Sequence, residues 1–160
     1  MLNGPIAHMN FARLLHPAGD ARVAEFVDAV TGVNAVAERS PGFIWRLKAA
    51  DSRDAKSGDF EQIDEDPLIA ASLSVWASPW ALMEFANKTL HGAYMRRRQL
   101  WFELPKGPNY VIWPVSATAT PNMAQAWQKI GKLADDGATE LAYDFDYLRH
   151  HGGAARPGDV

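Results

Sequence analysis

Ile6-Ala7-His8-Met9-Asn10-Phe11-Ala12-Arg13-Leu14 alternates with a period of two. Read as a strand, it places His8, Asn10 and Ala12 on one side and Ala7, Met9 and Phe11 on the other. Leu68 to Ala77 repeats the pattern: Ser72, Ser74 and Trp76 alternate with Ala71, Leu73 and Val75. Each strand therefore pairs an apolar face with a face that mixes polar and aromatic groups. Such a face is too polar for a dry core and too aromatic for plain exposure to water.

Working outward, Asp20 suits a helix N-cap, and Ala21 to Arg39 carries Val23, Phe26, Val27, Val30, Val33 and Ala37 at helical spacing. Ser40-Pro41-Gly42 ends that helix. Phe43 to Ala49 predicts a second strand, with Phe43, Trp45 and Leu47 on one side. Asp51 to Pro67 is polar and acid-rich, and reads as a solvated hairpin extension or as a lid over a pocket. Ser78-Pro79 opens a helix from Trp80 toward Trp101, with a break near Thr89 to Gly92. Asn109 to Val115 predicts a fourth strand, and Pro121 to Asp135 a helix capped by Thr120. The alternation of Leu141, Tyr143, Phe145 and Tyr147 suggests a further short strand. The order β-α-β-β-α-β predicts an α+β domain with a ferredoxin-like antiparallel sheet and an extra C-terminal helix. One domain spans residues 1–149, and 150–160 form a flexible tail.

Composition narrows the function classes. The chain has 160 residues, 16 basic and 19 acidic, for a net charge of −3, which disfavours nucleic-acid binding. There is no cysteine, so disulfides, thiolate metal sites and a cysteine nucleophile are excluded. No apolar run approaches the roughly 18 residues of a membrane span, and the N-terminus does not read as a signal peptide. A cytoplasmic protein without a membrane partner is the expectation. No phosphate-binding glycine loop, G-x-S-x-G or HExxH motif occurs. Six Trp imply large flat surfaces to bury; Trp45, Trp101, Trp113 and Trp127 are assigned to core or interface.

Three stretches carry a family resemblance: Asn34-Ala35-Val36-Ala37-Glu38-Arg39-Ser40-Pro41-Gly42-Phe43-Ile44-Trp45-Arg46-Leu47, then Leu73-Ser74-Val75-Trp76-Ala77-Ser78, then His91 followed by Arg96-Arg97-Arg98-Gln99-Leu100-Trp101-Phe102. Together they resemble an uncharacterised bacterial family of the dimeric α+β barrel superfamily, over residues 6–117 and on to Tyr147. The half-polar strand faces, and the resemblance with them, imply a homodimer whose sheets meet around a cavity, with a pocket between sheet and helix in each protomer. That superfamily includes antibiotic-biosynthesis monooxygenases of secondary metabolism, which use neither metal nor flavin. It also includes haem enzymes and non-redox cyclases and isomerases, so fold alone does not fix function.

For this chain the resemblance implies His91 as base or haem-iron ligand, with Asn10 and Trp76 as its catalytic companions. Trp80 and Arg97 would stand beside a haem, Arg97 at a propionate. Trp80 precedes His91 by eleven residues, one more than that comparison implies, and one residue turns a helix by about 100°. His8, Ser72, Ser74 and Asn34 are expected to line the substrate pocket. The leading function is a small-molecule oxidoreductase of monooxygenase type acting on an aromatic or conjugated metabolite, with haem or with no cofactor. A non-redox cyclase, isomerase or dehydratase, or a non-catalytic binder of an apolar metabolite, would use the same pocket. His150 and His151 form at most a weak metal pair.

Overall fold

The computed structural model describes residues 2–48, 61–63, 66–90 and 96–153. Strand β1 (Ile6–Arg13) lies at the centre of the sheet. It pairs antiparallel with β4 (Asp66–Trp76) on one side and β5 (Tyr110–Pro114) on the other. The outer edge of β4 is shared by β2 (Phe43–Arg46), facing Ser74 to Trp76, and β3 (Glu61–Ile63), facing Asp66 to Ala71. The sheet order is β2-β4-β1-β5, with β3 beside β4. That is the ferredoxin-like order. Of the acid-rich stretch, β3 and the start of β4 are part of the sheet; the expected lid, residues 51–60, and residues 64–65 lie outside the described residues.

Two helices cover one face. Asp20 caps the first, its side chain accepting from Arg22 N, and a 3-10 turn leads into α1 (Ala24–Arg39). Ser78 accepts from Ala81 N and starts α2 (Pro79–Leu90). The helix expected to reach Trp101 is described as α2 and, beyond residues 91–95, as a 3-10 turn at Arg98–Leu100.

The opposite face is apolar and is covered by the chain itself. Ala7, Met9, Leu73, Val75, Val111 and Trp113 pack against Ala126, Ile130 and Leu133 of α3 (Met123–Asp136). The Phe11 and Trp127 rings meet edge to face at 4.9 Å. The sequence reading brought the half-polar faces of two protomers together. Here that face looks inward, toward α1 and α2 of its own chain, where the expected pocket between sheet and helix lies, rather than toward a second sheet. The cap of α3 also differs from expectation: Asn122, not Thr120, holds it in a capping box with Gln125.

Two local patterns were misread. Phe43 does not share a side with Trp45 and Leu47. A register shift between Phe43 and Trp45 turns Phe43 onto Trp76, edge to face at 5.4 Å, while Trp45 and Leu47 join the α3 side. Such a shift reverses every side chain that follows it. Gly42, at φ +82°, begins this irregular stretch. The fifth strand expected over 141–147 is reduced to isolated bridges, Ala142 with Thr139 and Tyr143 with Ile112, the latter pair exchanging both backbone hydrogen bonds. Asp144 then caps α4 (Phe145–His151) by accepting from Tyr147 N. Tyr143, Tyr147 and His151 are four apart and form a ring stack down one side of that turn. The tail expected from residue 150 is helical through His151, and Gly152 is buried against Trp80.

Candidate functional site

Between the sheet and the two helices runs a cavity with two lobes. The first, about 220 Å³, is lined by His8, Asn10, Ser72, Ser74 and Trp76 from the sheet and by Asn34, Leu82 and Phe85 from the helices. The second, about 400 Å³, shares His8, Asn10, Asn34 and Ser72 and continues past Phe26, Val30 and Phe102 to Arg98. Antiparallel register explains the shared polar wall. Ser72, Asn10 and Tyr110 are partners across three neighbouring strands, and Ser74 and His8 are partners in the row beside them. Side chains at paired positions share a face.

The polar groups are already partly committed to each other. The Ser72 hydroxyl donates to Asn10 Oδ1, which leaves the Asn10 NH₂ to donate into the cavity. Trp76 Nε1 donates to Ser74 Oγ at 3.0 Å, which leaves the Ser74 proton free to donate elsewhere. The Trp76 indole is buried and stacks on Phe85 at 5.1 Å. His8 lies 6.1 Å from the Tyr110 ring, and no described residue hydrogen-bonds its imidazole. Burial lowers its pKa from 6.5 to about 4, because the charged ring would lose its water. Near neutral pH His8 is therefore an uncharged imidazole with lone-pair capacity, beside two hydrogen-bond donors. Arg46 Nε donates to Glu38 Oε1 at 2.6 Å on the wall of the first lobe, and that guanidinium holds the Glu38 carboxyl below its usual range.

Of the expected site residues, His8, Asn10, Asn34, Ser72, Ser74 and Trp76 lie along one cavity. Trp80 does not. Its indole donates to Asn3 Oδ1 at 3.3 Å and packs beside Gly152, behind α2. Arg97 does not either, being paired with Glu25 at 3.1 Å. His91 lies outside the described residues. Trp80 and Arg97, expected beside a haem, thus do not line the cavity. Among the described residues no cluster of three or more His, Cys, Asp or Glu could hold a metal ion. His150 and His151 each direct Nδ1 to a backbone carbonyl one turn back.

The sequence reading missed Tyr110 and Phe85 as cavity residues, and it did not tell Arg98 from Arg96 and Arg97 as the arginine that borders the cavity. Tyr110 was legible in principle, since a strand pairing with β1 must place some residue opposite Asn10. Its hydroxyl accepts from Phe145 N at 3.1 Å, and burial raises its pKa.

The sheet order, with paired helices on one face, defines an α+β fold of the ferredoxin-like type. The match to the NE2512 protein of unknown function from Nitrosomonas europaea has 12% identity and a TM-score of 0.50, covering 76% of this chain and 99% of that one. PA3566 from Pseudomonas aeruginosa matches at 12% identity and a TM-score of 0.47, over 74% and 99% of the two chains. SnoaB, a cofactor-independent oxygenase from Streptomyces nogalater, matches at 11% identity and a TM-score of 0.45, again over 74% and 99%. No curated protein matches the sequence. Residues 5–156 match the domain of unknown function DUF3291, and the chain belongs to that family. No helix among the described residues is long and apolar enough to cross a membrane.

Proposed function

We propose that this chain is a small-molecule oxidoreductase of monooxygenase type, acting on an aromatic or conjugated enol held in the cavity. The observation that carries this reading is the half-buried, uncharged His8 imidazole in the cavity beside the free amide protons of Asn10. His8 takes the enol proton, and Asn10 and Ser74 hold the oxyanion left behind. In the described cavity His8 fills the role expected of His91; Trp76 shapes the wall.

The magnitude restricts the substrate. A simple phenol, with a pKa near 10, stands about six units above His8, or about 8 kcal/mol. An imidazolium–enolate pair about 4 Å apart recovers about 4 kcal/mol at an effective dielectric of about 20. That closes the gap only for enols or phenols about three units more acidic, such as those conjugated to a carbonyl. The resulting anion is electron-rich enough to reduce dioxygen. One oxygen atom enters the ring, the other leaves as water, and the two hydrogens lost complete the balance without an external reductant.

The test is oxygen uptake by the full chain with a panel of cyclic 1,3-diketones and hydroxynaphthalenes bearing a carbonyl. The proposal expects uptake that His8→Gln lowers at least tenfold. Turnover of the same compounds under nitrogen would replace it with an isomerase or cyclase, for which the same base and donors suffice. Binding without turnover under either gas would leave a metabolite-binding protein.

A homodimer is part of the proposal. With α3 on the apolar face, protomers meeting through that face would hold α3 between their sheets. Sedimentation of a monomer at micromolar concentration contradicts this.

A further inference from the structure

Building on the cavity reading above, we propose that the second lobe is a carboxylate subsite and that Arg98 is the residue that receives the carboxylate. Arg98 begins the 3-10 turn Arg98–Leu100 and lines the 400 Å³ lobe. Its neighbour Arg97 is occupied by Glu25. The Arg98 guanidinium has no ion pair or hydrogen bond among the described residues, although acids outnumber bases in the chain, 19 to 16. Neither lobe has an Asp or Glu among its described lining residues, and the other lining cation, Arg46, is bound to Glu38. Among the described lining residues the charge therefore favours an anion, and Arg98, an exposed residue of the lobe wall, carries the positive charge left unpaired there.

The groups that line the lobe set the chemistry of the ligand. The donors and the imidazole of the polar rows are shared with the first lobe, Phe26, Val30, Phe102 and Phe145 add apolar and aromatic wall, and Arg98 supplies the charge. A ligand that satisfies all three parts has an apolar, preferably aromatic, body, an enol or hydroxyl, and an ionised carboxylate. A carboxylate matches the planar guanidinium fork with two parallel hydrogen bonds and cancels its single charge. A dianionic phosphate would keep one uncompensated charge against an apolar wall.

Fluorescence titration of the full chain with 6-hydroxy-2-naphthoate, 2-naphthol and 2-naphthyl phosphate tests this. We expect the naphthoate to bind about tenfold tighter than the naphthol, the increment of one charged hydrogen-bonded pair. Arg98→Gln abolishes that preference without changing naphthol affinity, and Arg98→Lys retains part of it. A preference that survives Arg98→Gln, an equal loss for both ligands, or tighter binding of the naphthyl phosphate overturns the subsite. If naphthol binds but the naphthoate binds no better, the subsite fails and the cavity reading stands. If none of the three binds, the cavity reading fails and takes the subsite with it.

Discussion

Replacing His8 with Gln removes a pH-dependent part of the folding energy, and its size follows from where the ring sits. In the unfolded chain His8 titrates near 6.5; in the folded chain burial lowers it to about 4. The folded state thus favours the neutral ring. The resulting stability is fully present above about pH 6.5 and is lost as pH falls toward the folded value. Between about pH 8 and about pH 4.5 the loss is about 2–3 kcal/mol, on the order of two factors of ten in the folding constant. Carboxylates contribute in the same direction, since Asp66 and Glu38 are held below their usual values by Arg13 and Arg46. A comparison of two proteins cancels that part. Urea unfolding of wild type and His8→Gln at both pH values should give a stability change smaller in the variant by that amount. Equal pH dependence in the two proteins would mean that the His8 ring stays hydrated in the folded state, and the account of its burial between sheet and helices would be refuted.

Three other substitutions probe the frame around the cavity. Ser74→Ala leaves the buried Trp76 Nε1 without its acceptor and should cost about 1–3 kcal/mol in urea unfolding, with a shift in tryptophan fluorescence. Ile130→Ala opens a gap between α3 and the apolar face of the sheet and should cost about 2–4 kcal/mol, read as a lower urea midpoint. Asn122→Ala breaks the capping box and should lower stability by about 1 kcal/mol, with a small loss of helical circular dichroism.

The two-residue alternation of β1 and β4 was enough to read the sheet, because a strand with one apolar and one mixed face admits few arrangements. It also placed His8, Asn10, Ser72, Ser74 and Trp76 on a common face. What alternation could not say was which layer that face meets. The apolar stripe of α3 covers the Met9 side, so the mixed face lies under α1 and α2 within one chain. Phe43 was misplaced because a bulge leaves no mark in a run of large apolar residues. The 141–147 stretch was misread because Tyr143, Phe145 and Tyr147 fit a period of two, while the cap at Asp144 selects a helix. Arg98 was not separable from Arg96 and Arg97 by sequence. Consecutive residues point in different directions on a helical turn, and only the packed structure shows which one borders the cavity.

The most direct measurement is the protonation state of the His8 ring, followed by nitrogen-15 NMR near pH 5, where the free diketone still largely carries its own proton, with and without 5,5-dimethyl-1,3-cyclohexanedione. The account predicts a neutral imidazole in the free protein and an imidazolium once the diketone is bound. A ring that is already charged when the cavity is empty, or that stays neutral when the diketone occupies it, would contradict proton transfer to His8.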